Sequence, residues 1–348
     1  MSTSTNIVGD ARVHAVPAEA RKSPTTLVAG QQSWEWAKLR KIALRQMDKF
    51  IDLVPLVLRN EDLTAVNRMR VTCRRLEEIL DLIYVKPRPG HIKKLRRRLK
   101  LCRRTLGKLR NCDALLEVAN SAIAAKPAEI DAWQALRHYL QPLRTRTAAV
   151  TLEKLGRVNL AMPYLRMKRD FSLSAQQRRS HARTNGAATQ AATAAVYHGI
   201  ARSLASRWRQ FADAVERSHH DPCEHVIHGM RIAAKRLRYL AEVMNKLHIA
   251  GSMEALNWLK SLQSTIGVWH DLEIMERMLR DILNHPKSFH IEHLTAEHIE
   301  SLIRHNHETK KESAEQFFKT TRKSRDYQQV RRWVSDFLTS HRTNIAHR

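Results

Sequence analysis

Residues 66–76 read VNRMRVTCRRL, and residues 227–237 read IHGMRIAAKRL. The two stretches align without a gap, 161 residues apart. In the first, Val66, Met69, Cys73 and Leu76 step by three and four, so they form one apolar stripe of an α-helix. Asn67, Arg70 and Arg74 fall at i, i+3 and i+7 and make a second stripe beside that seam. His228, Arg231 and Lys235 repeat the spacing, and Arg238 continues the row. At the same separation Lys41 meets Arg202 and Phe50 meets Phe211. One residue closer, LGKLRN at 106–111 matches IGVWHD at 266–271. The chain therefore reads as two related helical halves, each with about four main helices.

The flanking sequence agrees. Leu39, Ala43, Met47 and Phe50 start a helical pattern near Trp34, which Pro55 is expected to interrupt. Asp62 is a natural N-cap for a helix reaching Ile83. A third helix is predicted from His91 to Asn120, with Leu95, Leu99, Cys102, Leu106 and Leu109 as its seam. Its flanks are crowded with lysine and arginine, Arg97 and Arg104 among them, and no acid occurs between His91 and Arg110. A fourth helical stretch covers Pro127 to Arg157. Residues 1–32 lack any period and read as a disordered tail; 168–190 are basic with little apolar content and read as a linker. No segment alternates with period two for long, so no sheet is expected.

Composition sets the partner class. Of 348 residues, 61 are Lys or Arg and 34 Asp or Glu, a net charge of +27. Spread over one fold, that charge repels itself, so an anionic partner is the first expectation. Hydrophobic residues at 43% supply a core, and only ten glycines and ten prolines argue for helices over turn-rich strands. The four cysteines have no CxxC spacing and read as reduced thiols of a cytoplasmic protein. The N-terminus lacks a secretory h-region, and no run is long enough to insert into a membrane.

A basic stripe along a core seam lines a groove between helices. Cations crowded there repel one another until an anion joins them, and the arginine fork grips phosphate oxygens with two hydrogen bonds. A solvated helix face is the competing reading. Its weight falls because the stripe recurs at matching positions in both halves.

Together with LGKLRNCDALL (106–116) and IGVWHDLEIM (266–275), the two opening stretches resemble the conserved histidine α-helical domain, CHAD, over roughly residues 33–335. The resemblance implies an all-α fold of two pseudo-symmetric four-helix bundles, 33–167 and 191–340, around a basic central groove or pore. It also implies inorganic polyphosphate as the ligand, and extends to association with polyphosphate granules. By position, the polyphosphate-binding set is Arg70, Arg74, Arg75 and Arg110 from the first half, and His228, Arg231, Lys235, Arg236 and Arg238 from the second. Lys41, Arg202, Arg97 and Arg104 are added as further cations of the groove. Two departures stand out. Asn67 occupies the histidine position of the first half, and the Arg-Asp pair after the Leu-Gly step is split into Arg110-Asn111 and His270-Asp271.

No catalytic residue, metal or cofactor is expected. The Glu-x-Glu-x-Lys strand motif of the triphosphate-cleaving domain found in some relatives is missing, as are glycine-rich phosphate loops and acidic metal ligands. Among 19 histidines, the pairs His225/His228 and His290/His293 share helix faces, but no ligand completes a set. His228 is instead expected to add charge near neutral pH as a phosphate donor. Aromatics are few and do not alternate with basic residues as a base-stacking platform does. General nucleic-acid binding remains the second reading and a polyphosphate-processing enzyme the third. Oligomeric state is left open.

Overall fold

Asp62 does cap a helix: its carboxylate accepts the Thr64 N–H at 2.8 Å and opens α2 (Leu63–Ile83). Ser33 does the same for α1 (Trp34–Arg59), accepting from the Trp36 N–H at 3.3 Å. This computed structural model describes residues 33–60, 62–84, 87–125, 128–158, 161–180, 186–285, 294–322 and 324–342. The expected tail, 1–32, lies outside them. Among the described residues every regular element is an α-helix and none is a strand, so the all-α expectation holds.

Pro55 does not end α1 as expected. A proline removes the donor for the carbonyl four residues earlier, here that of Ile51, which is an exposed residue on the outer side of the helix. The helix ends at Asn60, whose left-handed backbone (φ 58°) turns its N–H back onto the Val57 carbonyl. The third predicted helix is in fact two, α3 (Gly90–Thr105) and α4 (Gly107–Ala124), broken at Leu106. Then follow α5 (Ile130–Gly156), α6 (Ala161–Ser180), α7 (Gly186–His220), α8 (Glu224–Lys246), α9 (Ser252–Asn284), α10 (Ala296–Lys319) and α11 (Arg325–Arg342). The stretch read as a linker is thus helical on both sides of residues 181–185, which lie outside the described set. Its Ala, Gln and Arg are helix formers even without an apolar seam.

The core divides differently from the chain. One apolar cluster joins α1, α2 and α3 to α7, α8, the first half of α9 and α11. The other joins α4 and α5 to the second half of α9 and to α10. Each cluster therefore takes helices from both sides of residue 167, so the two halves of the chain share both apolar cores. The changeover falls between Leu109 and Leu115 in the first half of the chain and between Trp269 and Leu272 in the second. α2 packs on α8, and α4 on α9, across this junction.

Candidate anion-binding groove

Because α2 meets α8, the two basic stripes converge. A cavity of about 710 Å³ opens between α2, α3, α7 and α8. Arg74 enters from α2, Arg96, Lys100 and Arg103 from α3, Arg207 from α7, and Lys235 and Arg236 from α8. Glu77, Glu78 and Asp81, one and two turns beyond Arg74, line the same space. Each acid already holds an arginine: Asp81 takes Arg96, Glu78 takes Arg207 (2.6 Å), and Glu77 lies 3.8 Å from Arg103. Among the described residues Arg74, Lys100 and Lys235 form no ion pair within 4 Å, and Arg236 has a 3.5 Å contact to Gln210. The groove is left with a surplus of positive charge.

Arg70, Arg110, His228, Arg231 and His270 lie within electrostatic reach of Arg74 or Lys235. Arg231 is 7% exposed, and its buried Nε has no hydrogen-bond partner. Arg70 Nη1 donates to the Arg103 carbonyl at 2.5 Å, at the end of α3. Gly107 makes room for that: a Cβ there would stand 3.3 Å from Nη1.

Crowding shows in the proton affinities. Burial, reinforced by neighbouring arginines, lowers Arg70 and Arg231 to about 10 each. Burial first, then Arg231, Arg74 and Arg110, lowers Lys235 to about 6. His228 is likewise pushed below its ordinary value by burial, Arg231 and Lys235. In the ligand-free protein this burial, with the cations around the ring, works against the expectation that His228 adds charge near neutral pH. Its ring lies 5.2 Å from that of His270, which burial, then Arg231, His228 and Lys235, depress further, to about 2. All these groups gain when a polyanion enters.

The split Arg-Asp motif closes across the junction between the cores. Arg110 of α4 forks onto Asp271 of α9, at 2.7 and 3.1 Å. Asp271 is also within electrostatic reach of Arg231 and Lys235.

Six of the sequence-selected cations stand elsewhere. Arg75 donates to Glu242 at 2.6 and 3.0 Å, and Arg238 to Glu242 and to Gln263 (2.6 Å). Arg75 is occupied across the α2–α8 contact and Arg238 by α8 itself and α9, although they share the stripe's residue type. Lys41, Arg97, Arg104 and Arg202 lie exposed on α1, α3, α3 and α7, outside the groove lining. Sequence reasoning missed Arg207, for which only the packing of α7 on α2 gives a signal. It also missed Glu77, Glu78 and Asp81, which continue the Arg74 stripe at helical spacing but with the opposite sign.

Among the described residues no group of three His, Cys, Asp or Glu side chains is placed to hold a metal; His290 and His293 lie outside them. No described helix is long and apolar enough to cross a membrane.

The family model described as CHAD domain matches residues 41–280. The fold is similar to the crystal structure of the CHAD domain from the plant Ricinus communis, at TM-score 0.56 and 20% identity, over 81% of this chain and 88% of that one. It is also similar to PptA from Streptomyces chartreusis, at TM-score 0.54 and 16% identity, over 81% of this chain and 97% of that one. No curated protein matches the chain.

Proposed function

The chain belongs to the CHAD domain family, and from that premise we propose that it binds inorganic polyphosphate in the α2–α3–α7–α8 groove without turning it over. The observation that carries this reading is the row of basic side chains without an ion pair among the described residues, Arg74, Lys100 and Lys235, backed by the buried, unpartnered Nε of Arg231. A chain of repeating phosphates supplies one negative charge per internal phosphate, for basic side chains from facing helices to neutralise together. Binding is multivalent charge neutralisation, and the net charge of +27 draws the polyanion in. Cytoplasmic polyphosphate granules are the matching location.

General nucleic-acid binding is the second reading, favoured by the exposed Lys93, Lys94, Arg97 and Arg104 on α3. Titration with polyphosphate of defined lengths at two salt concentrations tests both. Each phosphate neutralised adds a slope of about −0.7 in log K against log salt, by analogy with single strands. The Arg74→Ala/Arg231→Ala/Lys235→Ala variant loses at least ~100-fold in polyphosphate affinity, against a few-fold for Lys93→Ala/Lys94→Ala/Lys108→Ala. Equal losses, or DNA displacing polyphosphate at equal phosphate concentration, defeat the proposal. Steady release of orthophosphate on adding Mg²⁺ or Mn²⁺ overturns its non-enzymatic part.

A further inference from the structure

α3 turns toward solvent a stripe that the groove does not use. Lys94, Arg97, Leu101 and Arg104 step by three, four and three; all are exposed and none lines the groove. Leu101 is 52% exposed in the middle of this basic row. α6 carries a matching stripe of Met162, Leu165, Arg166 and Arg169, in which Met162 is 53% and Leu165 54% exposed.

The packing sets the two stripes side by side. Thr147 and Arg144 of α5 meet Cys112 (3.9 Å) and Asp113 (2.7 Å) of α4, so α5 runs back along α4 toward α3. Its Ala148 and Leu155 share a core with Leu99 and Cys102. α6 therefore starts beside the end of α3 and reaches the beginning of α3 at Asp170, whose carboxylate lies 3.2 Å from His91. The two helices are antiparallel. From the His91–Asp170 pair, Leu101 is ten residues, about 15 Å, along α3, and Met162 is eight residues, about 12 Å, back along α6. Leu95 and Leu99 of α3 are buried in one core with Met167 and Phe171 of α6, so the exposed stripes face outward together. No acid occurs in α3, and Asp170, the one acid of α6, is held by His91.

The mixture of side chains selects the partner. Basic residues alone suit any polyanion. Half-exposed aliphatic side chains among them gain nothing from a nucleic-acid backbone, and neither stripe carries an aromatic ring to stack a base. An anionic bilayer answers both features. Its headgroups neutralise lysine and arginine, and the boundary below them takes up aliphatic side chains.

We propose that the α3–α6 face docks on the surface of an anionic lipid bilayer. Leu101, Met162 and Leu165 enter the boundary between headgroups and acyl chains, while Arg97, Arg104 and Arg166 hold lipid phosphates.

Vesicle flotation tests this, with the full chain carrying Arg74→Ala/Lys235→Ala so that the groove does not contribute. The protein floats with vesicles of mixed phosphatidylglycerol and phosphatidylcholine, and not with phosphatidylcholine alone. Leu101→Ser/Met162→Gln/Leu165→Ser leaves every charge in place. It weakens vesicle binding at least ~10-fold, and duplex DNA binding, set by the cations, by no more than about twofold. Leu101→Met/Leu165→Met retains vesicle binding, and Arg97→Gln/Arg104→Gln/Arg166→Gln weakens it at least ~10-fold. Vesicle binding that is indifferent to the aliphatic variant, or to the arginine variant, overturns the proposal. Tight DNA binding through the same arginines, with no flotation, also overturns it and assigns the face to nucleic acid. Because the groove is disabled throughout, its own failure to bind polyphosphate leaves this result standing.

Discussion

Arg110 on α4 and Asp271 on α9 clasp each other with two parallel hydrogen bonds, 2.7 and 3.1 Å, where both helices pass from one apolar core to the other. The pair does two jobs. It ties the halves together, and its carboxylate counters part of the charge around Arg231 and Lys235. Asp271→Asn removes the counter-charge while keeping the shape. The ligand-free protein should lose about 1.5–3 kcal/mol, the range for hydrogen bonds to charged groups. Polyphosphate should bind several-fold more tightly and restore most of that stability. Urea unfolding with and without polyphosphate checks this; equal affinity in the two proteins rejects the counter-charge role.

Gly251 caps α9 with φ +74°, and a Cβ there would lie 2.6 Å from Trp333 Nε1. That indole is held by its own bond to the Ala250 carbonyl at 2.8 Å, so it does not move aside freely. Gly251→Ala adds left-handed strain of about 1–2 kcal/mol to this overlap. The expected cost is at least ~2 kcal/mol in urea, with polyphosphate affinity of the folded protein unchanged.

The helices were legible because their seams are written locally: Val66, Met69, Cys73 and Leu76 each come from one element and are buried together. What joins to what was not. Arg74 and Arg75 are neighbours of one residue type, and only the position of Glu242, 167 residues away from Arg75, decides that one faces the groove and the other is tied up. The acids Glu77, Glu78 and Asp81 were hidden for a related reason. A charge count treats them as compensation spread over the molecule, whereas they are fixed partners for particular arginines. Pro55 and the Leu106 break show the opposite limit: the proline falls on an exposed stretch of α1 that tolerates it, and at the break Arg70 supplies a donor to the Arg103 carbonyl.

The Arg74/Arg75 contrast is itself a test. Arg74→Ala should cost at least ~10-fold in polyphosphate affinity and little stability, since it gives up no ion pair among the described residues. Arg75→Ala leaves Glu242, 9% exposed at the side chain, with Arg238 as its remaining fork. It should lower stability by about 1.5–3 kcal/mol and change affinity by no more than about twofold. The reverse pattern in paired unfolding and binding titrations would show that the groove has been placed on the wrong face of α2.

Lys235 makes binding depend on pH. With its proton affinity lowered to about 6 by burial and by Arg231, Arg74 and Arg110, it is largely neutral at pH 8 in the free protein. A polyanion beside it raises that value, so the complex takes up a proton between pH 6 and the raised value. Affinity therefore tightens as pH falls from 8 toward 6, by up to about tenfold per unit for one proton, and levels off below 6. The ligand-free fold shows the opposite trend. The unfolded chain binds this proton from about 10.5 downward and the folded one only from about 6, so stability from this group rises with pH across that window. Calorimetry in buffers of different ionisation enthalpy should find close to one proton taken up at pH 7.5. In Lys235→Arg, whose guanidinium stays charged throughout, the uptake disappears and the affinity becomes flat with pH. Uptake that persists in Lys235→Arg would assign the proton to His228 or His270, and the electrostatic account of the groove would have to be redrawn around the imidazoles.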